Sequence, residues 1–144
     1  MSAKSADEIH GFEYDWLGSD ADGHAAFFST AGGGYAPEEF LRDTDAHDEA
    51  IEAILASPAV TDAWFAPELG PDFVNTWRFM AERGLFAFDG NFNGGPYHLA
   101  AAPVVPVQAA QLPTKAADVL RRLTFRHLRF ADLSVISEQA MRHG

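Results

Sequence analysis

The stretch SDADGHAAFFSTAGGGYAPEEF, Ser19 to Phe40, holds two aspartates, a histidine and three consecutive glycines between apolar runs. Both of its ends are turn chemistry, and this decides the fold. Asp20-Ala21-Asp22-Gly23 separates IHGFEYDWLGSD (Ile9 to Asp20) from HAAFFST (His24 to Thr30). Both flanking segments mix apolar and polar residues in partial alternation, so a β-hairpin is predicted. At the other end, Gly32 to Gly34 permit positive φ in a tight strand-to-helix turn. Pro37 then suits a first helical position, with Glu38 and Glu39 in the positive first turn, so a helix is predicted to start there.

Beyond Phe40 a second helix start falls at Thr44 or Asp45. In DAHDEAIEAILAS the residues Ala46, Ala50, Ile51, Ile54 and Leu55 recur at helical spacing, leaving Asp45, Asp48, Glu49 and Glu52 outward. Ser57-Pro58 ends this acidic helix. Pro58, Pro67, Gly70 and Pro71 punctuate the next piece, read as a connection with a short helical turn. DFVNTWRFMAERG predicts a helix with Phe73, Trp77 and Met80 on one face and Gly84 as its stop. GLFAFDGNFNGGPYHLAAAPVVPV predicts a second hairpin, with Pro103 and Pro106 marking an edge or irregular strand. Thr114 is placed as the cap of KAADVLRRL, with Ala117, Leu120 and Leu123 inward. LTFRHLRFADLSVI closes the sheet, and SEQAMRH supplies a terminal helical turn. The expectation is one α+β domain over residues 1–144, an antiparallel sheet of two hairpins plus a C-terminal strand, flanked by three or four helices.

A chain of 144 residues with 47% apolar residues can bury a core without staples. It contains no cysteine, which excludes disulfides, thiolate metal sites and cysteine nucleophiles. No secretory h-region opens it and no apolar run approaches a membrane span, so a cytoplasmic location away from membranes is expected. The net charge is −11 and uneven: up to Asn75 the only cations are Lys4 and Arg42, whereas from Thr76 onward cations outnumber acids. An anionic half repels phosphate backbones and anionic lipid and attracts basic proteins, so nucleic acid is not an expected partner.

Specific chemistry finds little support. A calcium loop with Gly23 at its sixth position would begin on Gly18 and end on Ser29, and neither is a ligand. A phosphate cradle at Gly32 to Gly34 lacks a following Lys-Ser/Thr and meets Glu38 and Glu39 where an anion would sit. His10, His24, His47, His98, His127 and His143 are scattered without zinc-ligand spacing, so no metal and no cofactor are expected. No G-x-S-x-G elbow is present; the alternatives are an enzyme with a site assembled in space around the Gly32 to Gly34 turn and His24, or a protein-binding module unrelated to toxins. Among the aromatic residues, Trp64, Phe92 and Tyr97 lie beside loops and are candidate exposed anchors for a protein partner.

The segment YDWLGSDADGHAAFFSTAGGGYAPEEFL, Tyr14 to Leu41, resembles a pattern of small bacterial proteins found beside toxins. In that pattern a "DW-G-D-DGH" hairpin precedes "FSTAGGGYAP" and a helix. Size, acidity and the lack of a catalytic signature are also similar to those of immunity proteins of contact-dependent inhibition and other polymorphic toxin systems. The resemblance covers about a fifth of the chain and implies a non-enzymatic inhibitor that occludes a cognate toxin domain. A nuclease toxin presents cations to its substrate, and an acidic inhibitor imitates the phosphate array. The surface expected to do so is Asp45, Asp48, Glu49 and Glu52, with Asp20 and Asp22 at the hairpin tip and Glu38 and Glu39 second.

Overall fold

The computed structural model describes residues 2–66 and 75–143. Strands β1 (Asp15–Ser19) and β2 (Ala25–Ser29) pair antiparallel across the Asp20 to Gly23 turn, with Trp16 opposite Phe28 and Leu17 opposite Phe27. Gly23 takes a φ of +80°, where an L side chain is strained. Helix α2 (Glu38–Arg42) follows Pro37, and α3 (Thr44–Leu55) is capped by Asp43, whose side chain accepts from the Ala46 N–H. β3 is Ala63–Phe65, α4 is Thr76–Glu82, β4 is Phe86–Asp89 and β5 is Tyr97–Pro103. The chain finishes with α5 (Thr114–Arg122), β6 (Val135–Ile136) and α6 (Glu138–Arg142).

The class is α+β, with strand order β1-β2-β4-β5-β3 and β6 also on β5. Both predicted hairpins and the C-terminal strand are present, but the sheet is mixed, because β2 and β4 run parallel. Parallel neighbours need a long crossover, which residues 30–85 supply. β5 pairs with β4, β3 and β6, so it is central and not an edge; Pro103 is tolerated because it is the strand's last residue. Residues 63–65, read from sequence as part of a helical connection, form β3 instead. The predicted positions Pro67, Gly70, Pro71 and Phe73 lie outside the described residues.

Two helix ends differ from expectation for local reasons. Ile9 ends a short helix, α1 (Ala6–Ile9), because Ser5 and Glu8 form a capping box: Ser5 Oγ accepts from the Glu8 N–H at 3.1 Å and Glu8 Oε1 from the Ser5 N–H at 2.9 Å. Thr114 begins α5 itself, and Pro113 precedes it without a side-chain cap. The long final strand shortens to two residues, with a 3₁₀ turn at Phe130–Asp132 before it.

β2 is buried along its whole length, because the sheet is covered on both faces. On one face Trp16, Phe28, Phe88 and Tyr97 pack with Phe40, Phe125 and Phe130, and the Trp16 and Phe28 rings stack at 4.0 Å. On the other, Leu17, Phe27 and Ala87 meet Ile51 and Ile54 of α3, Met80 of α4 and Leu120 of α5. Among the described residues no helix is long and apolar enough to cross a membrane.

Candidate functional site: an acidic row under two helices

The strand register sets the first feature. Asp15 of β1 lies opposite Ser29 of β2, and Ser29 opposite Asp89 of β4. By strand parity Asp15 shares the face of Leu17, Ser29 that of Phe27, and Asp89 that of Ala87, all three of which lie in the helix-covered core. The row therefore runs under α3 and α4 at one end of the sheet. Asp15 and Asp89 flank Ser29 about 10 Å apart, two inter-strand spacings. Glu13, two residues before Asp15, extends the same face.

The start of α4 closes this row into a cavity of about 290 Å³, lined by Glu13, Asp15, Ser29, Asn75, Trp77 and Asp89 among others. Trp77 Nε1 donates to Ser29 Oγ at 3.1 Å. Asn75 Oδ1 caps α4 by accepting from the Arg78 N–H at 3.0 Å. Asn75 Nδ2, a donor, is buried without a hydrogen-bond partner, and Asp15 Oδ1, an acceptor, lacks one except from the protonated Glu13 carboxyl beside it. Orphaned buried polar atoms are uncommon and call for an explanation.

The electrostatics follow from crowding. Burial first, and then the adjacent Asp15 carboxyl, push Glu13 up to about 8, against a hydrogen bond from the Ala31 backbone. Asp89 is also raised, by burial above all and by Asp15, against the Gly90 backbone hydrogen bond and His98. Asp48 of α3 is raised by burial and then by Asp45, Asp15 and Glu52. Asp15 of the cavity is thus near enough to Asp48 of α3 to act on its charge.

Asp45, Asp48, Glu49 and Glu52 are all exposed on α3, and the helix is seated by His47. Buried His47 accepts the Leu17 N–H on Nδ1 at 3.1 Å and packs edge-on to Phe40. Burial and Arg122, opposed by Asp43, push it down to about 4, so it serves as a neutral acceptor.

The other predicted site residues scatter. Asp20 is buried and does not present its charge: Oδ1 accepts from the Asp22 and His24 N–H groups, each at 2.9 Å, and Oδ2 from the Phe130 N–H at 2.7 Å. Asp22 is exposed but pairs with Arg129. Glu38 and Glu39 both pair with Arg42. Trp64 is 50% exposed on β3, at the sheet edge away from β1, and Phe92 is 59% exposed beside Gly32. Tyr97 is fully buried and therefore no surface anchor; its hydroxyl accepts from Trp16 Nε1 and donates to the Tyr35 carbonyl.

The structure separates the two parts of the enzymatic alternative. His24 precedes β2 and Gly32 to Gly34 follow it, so a whole strand stands between them. The glycines instead allow close packing: a Cβ on Gly33 would lie 2.0 Å from the Phe92 carbonyl oxygen. A cavity of about 400 Å³ beside them holds Arg142, which lies over the Tyr35 ring and pairs with Glu138. Asp20, Asp22 and His24 do bring one potential metal-ligand atom each within 4.8 Å of one another, and His24 Nδ1 is buried without a partner. Yet Asp20 is committed to three backbone N–H groups and the Arg129 guanidinium already sits on Asp22, which disfavours a second cation.

No family model, curated protein or solved structure matches the chain.

Proposed function

We propose that this protein is an immunity protein: it binds a basic bacterial toxin domain, a nuclease in the first instance, and occludes its active site or substrate surface. The observation that carries the reading is the distribution of ion pairs. Arg42, Arg78, Arg121, Arg129 and Arg142 pair with Glu38, Glu39, Glu82, Asp118, Asp22 and Glu138. Among the described residues, Asp45, Asp48, Glu49 and Glu52 of α3, and Glu13, Asp15 and Asp89 beside them, form no ion pair. Asp7, Glu8, Asp20, Asp43, Asp62 and Asp132 also form no ion pair, so what marks this surface is the grouping of its carboxylates on α3 and in the adjacent cavity, where Glu13, held up to about 8, adds charge only at higher pH.

Such a surface disfavours its own charged state and has affinity for incoming cations. It would steer a basic partner toward α3 and raise the association rate, with strong dependence on salt. Rigid seating of α3 through His47 would keep the carboxylates in place on binding. The test is association kinetics with the basic protein captured from native cells. Reversing Asp45, Asp48, Glu49 and Glu52 to lysine should slow association about tenfold or more at low salt, and the wild-type protein should abolish the partner's toxicity on co-expression. Unchanged kinetics would remove α3 from the interface, and undiminished toxicity would refute inhibition.

A further inference from the structure

We infer that the cavity between the Asp15, Ser29, Asp89 row and the start of α4 is a receptor for one guanidinium group, supplied by an arginine of the partner protein. This deepens the reading of the acidic surface as a site for a basic protein and rests on it.

Four observations select that ligand. The cavity offers Asp15 and Asp89 with no cation of this chain paired to them, beside Glu13, whose carboxyl is held up to about 8 and hydrogen-bonds Asp15. Asp15 and Asp89 stand on strands separated by β2, so the acids ring a space and do not converge on a point. Among the described residues the only three-residue group with converging ligand atoms is the one at Asp20, Asp22 and His24. A hard metal ion needs convergence, whereas a planar guanidinium with five N–H donors spans separated acceptors. It is also less strongly hydrated than an ammonium and enters a half-buried site more readily. The orphaned Asn75 Nδ2 requires an acceptor on the same ligand, and the main-chain carbonyl of a peptide arginine provides one. The volume, about 290 Å³, is at the small end for ligand sites and suits one side chain.

The test needs no partner protein, so its outcome is separate from that of the α3 kinetics. N-acetyl-arginine methylamide is titrated into the full chain while the indole N–H resonance of Trp77, assigned through Trp77→Phe, is followed by NMR. The buried Trp16 indole reports whether each variant is folded. The expected result is a saturable Trp77 shift that N-acetyl-lysine methylamide reproduces more weakly and sodium chloride at matched ionic strength does not. Asp15→Asn and Asp89→Asn, with the Trp16 signal unmoved, should each weaken it about tenfold, the loss of one charge-assisted hydrogen bond. Free arginine should bind less well than the blocked amide, because its carboxylate meets an acidic cavity. No saturable shift, or one undiminished in a folded Asp15→Asn variant, overturns the proposal. Tighter binding of free arginine would overturn the partner side chain as its source and make the cavity a small-molecule site.

Discussion

Asp20 uses one carboxylate to hold three backbone N–H groups, two within its own turn and one at Phe130. Charge-assisted bonds of this kind contribute more than exposed ion pairs. Asp20→Asn leaves no acceptor for the Phe130 N–H unless the Asp22 and His24 bonds are lost, and should cost about 1–3 kcal/mol in urea unfolding. Asp22→Asn breaks only an exposed pair with Arg129 and should change stability by less than about 1 kcal/mol. Glu13 sets a pH dependence. Its folded-state value, about 8, lies above its ordinary 4.5, so between them the folded chain binds more protons than the unfolded chain and stability falls as pH rises. His47 has the opposite sign: held near 4 against 6.5, it adds stability as pH rises through that window. Above about pH 6.5 only the carboxyl contribution remains of these two. The melting temperature should decline from pH 6.5 to 8, and Glu13→Gln should flatten that decline; an equal slope in the variant would refute the assignment.

Helix α3 is legible in the sequence almost to the residue, because its apolar face, its start at Thr44 or Asp45 and its Ser57-Pro58 stop all agree. Its four outward acids are exposed as their spacing requires. The cavity beside it was not legible. Asp15 and Asp89 are separated by 74 positions, and only the parallel pairing of β2 with β4 aligns them through Ser29; no local pattern encodes that pairing. The parity of Glu13, Asp15 and Leu17 was the one available hint that these acids face a layer of helices. Tyr97 misleads for a related reason: its neighbours are loop residues, but its ring belongs to the aromatic layer under Trp16 and Phe28. On the proposed function, binding and stability oppose each other at this scale. Asp48 is disfavoured in its charged state by burial, Asp45, Asp15 and Glu52, so Asp48→Asn should raise the melting temperature at pH 7 while slowing association with a basic partner. A lower melting temperature would show that Asp48 has a stabilising partner.

Taken whole, the molecule groups Asp15, Asp89 and the four outward acids of α3 without a pairing cation, and ties Asp22, Glu38, Glu39, Glu82, Asp118 and Glu138 to arginines. The α+β class, the two hairpins and the C-terminal strand follow from turn chemistry and periodicity, whereas β3 and the parallel pair follow from long-range packing that outweighs local preference. The most direct test of the central claim is capture from native cells, at low and high salt, with wild-type protein and the α3 charge-reversed variant side by side. One basic protein should be retained stoichiometrically by the wild type, weakened by salt, and lost by the variant. Recovery of no basic protein, or of the same protein equally by both chains, would contradict the claim.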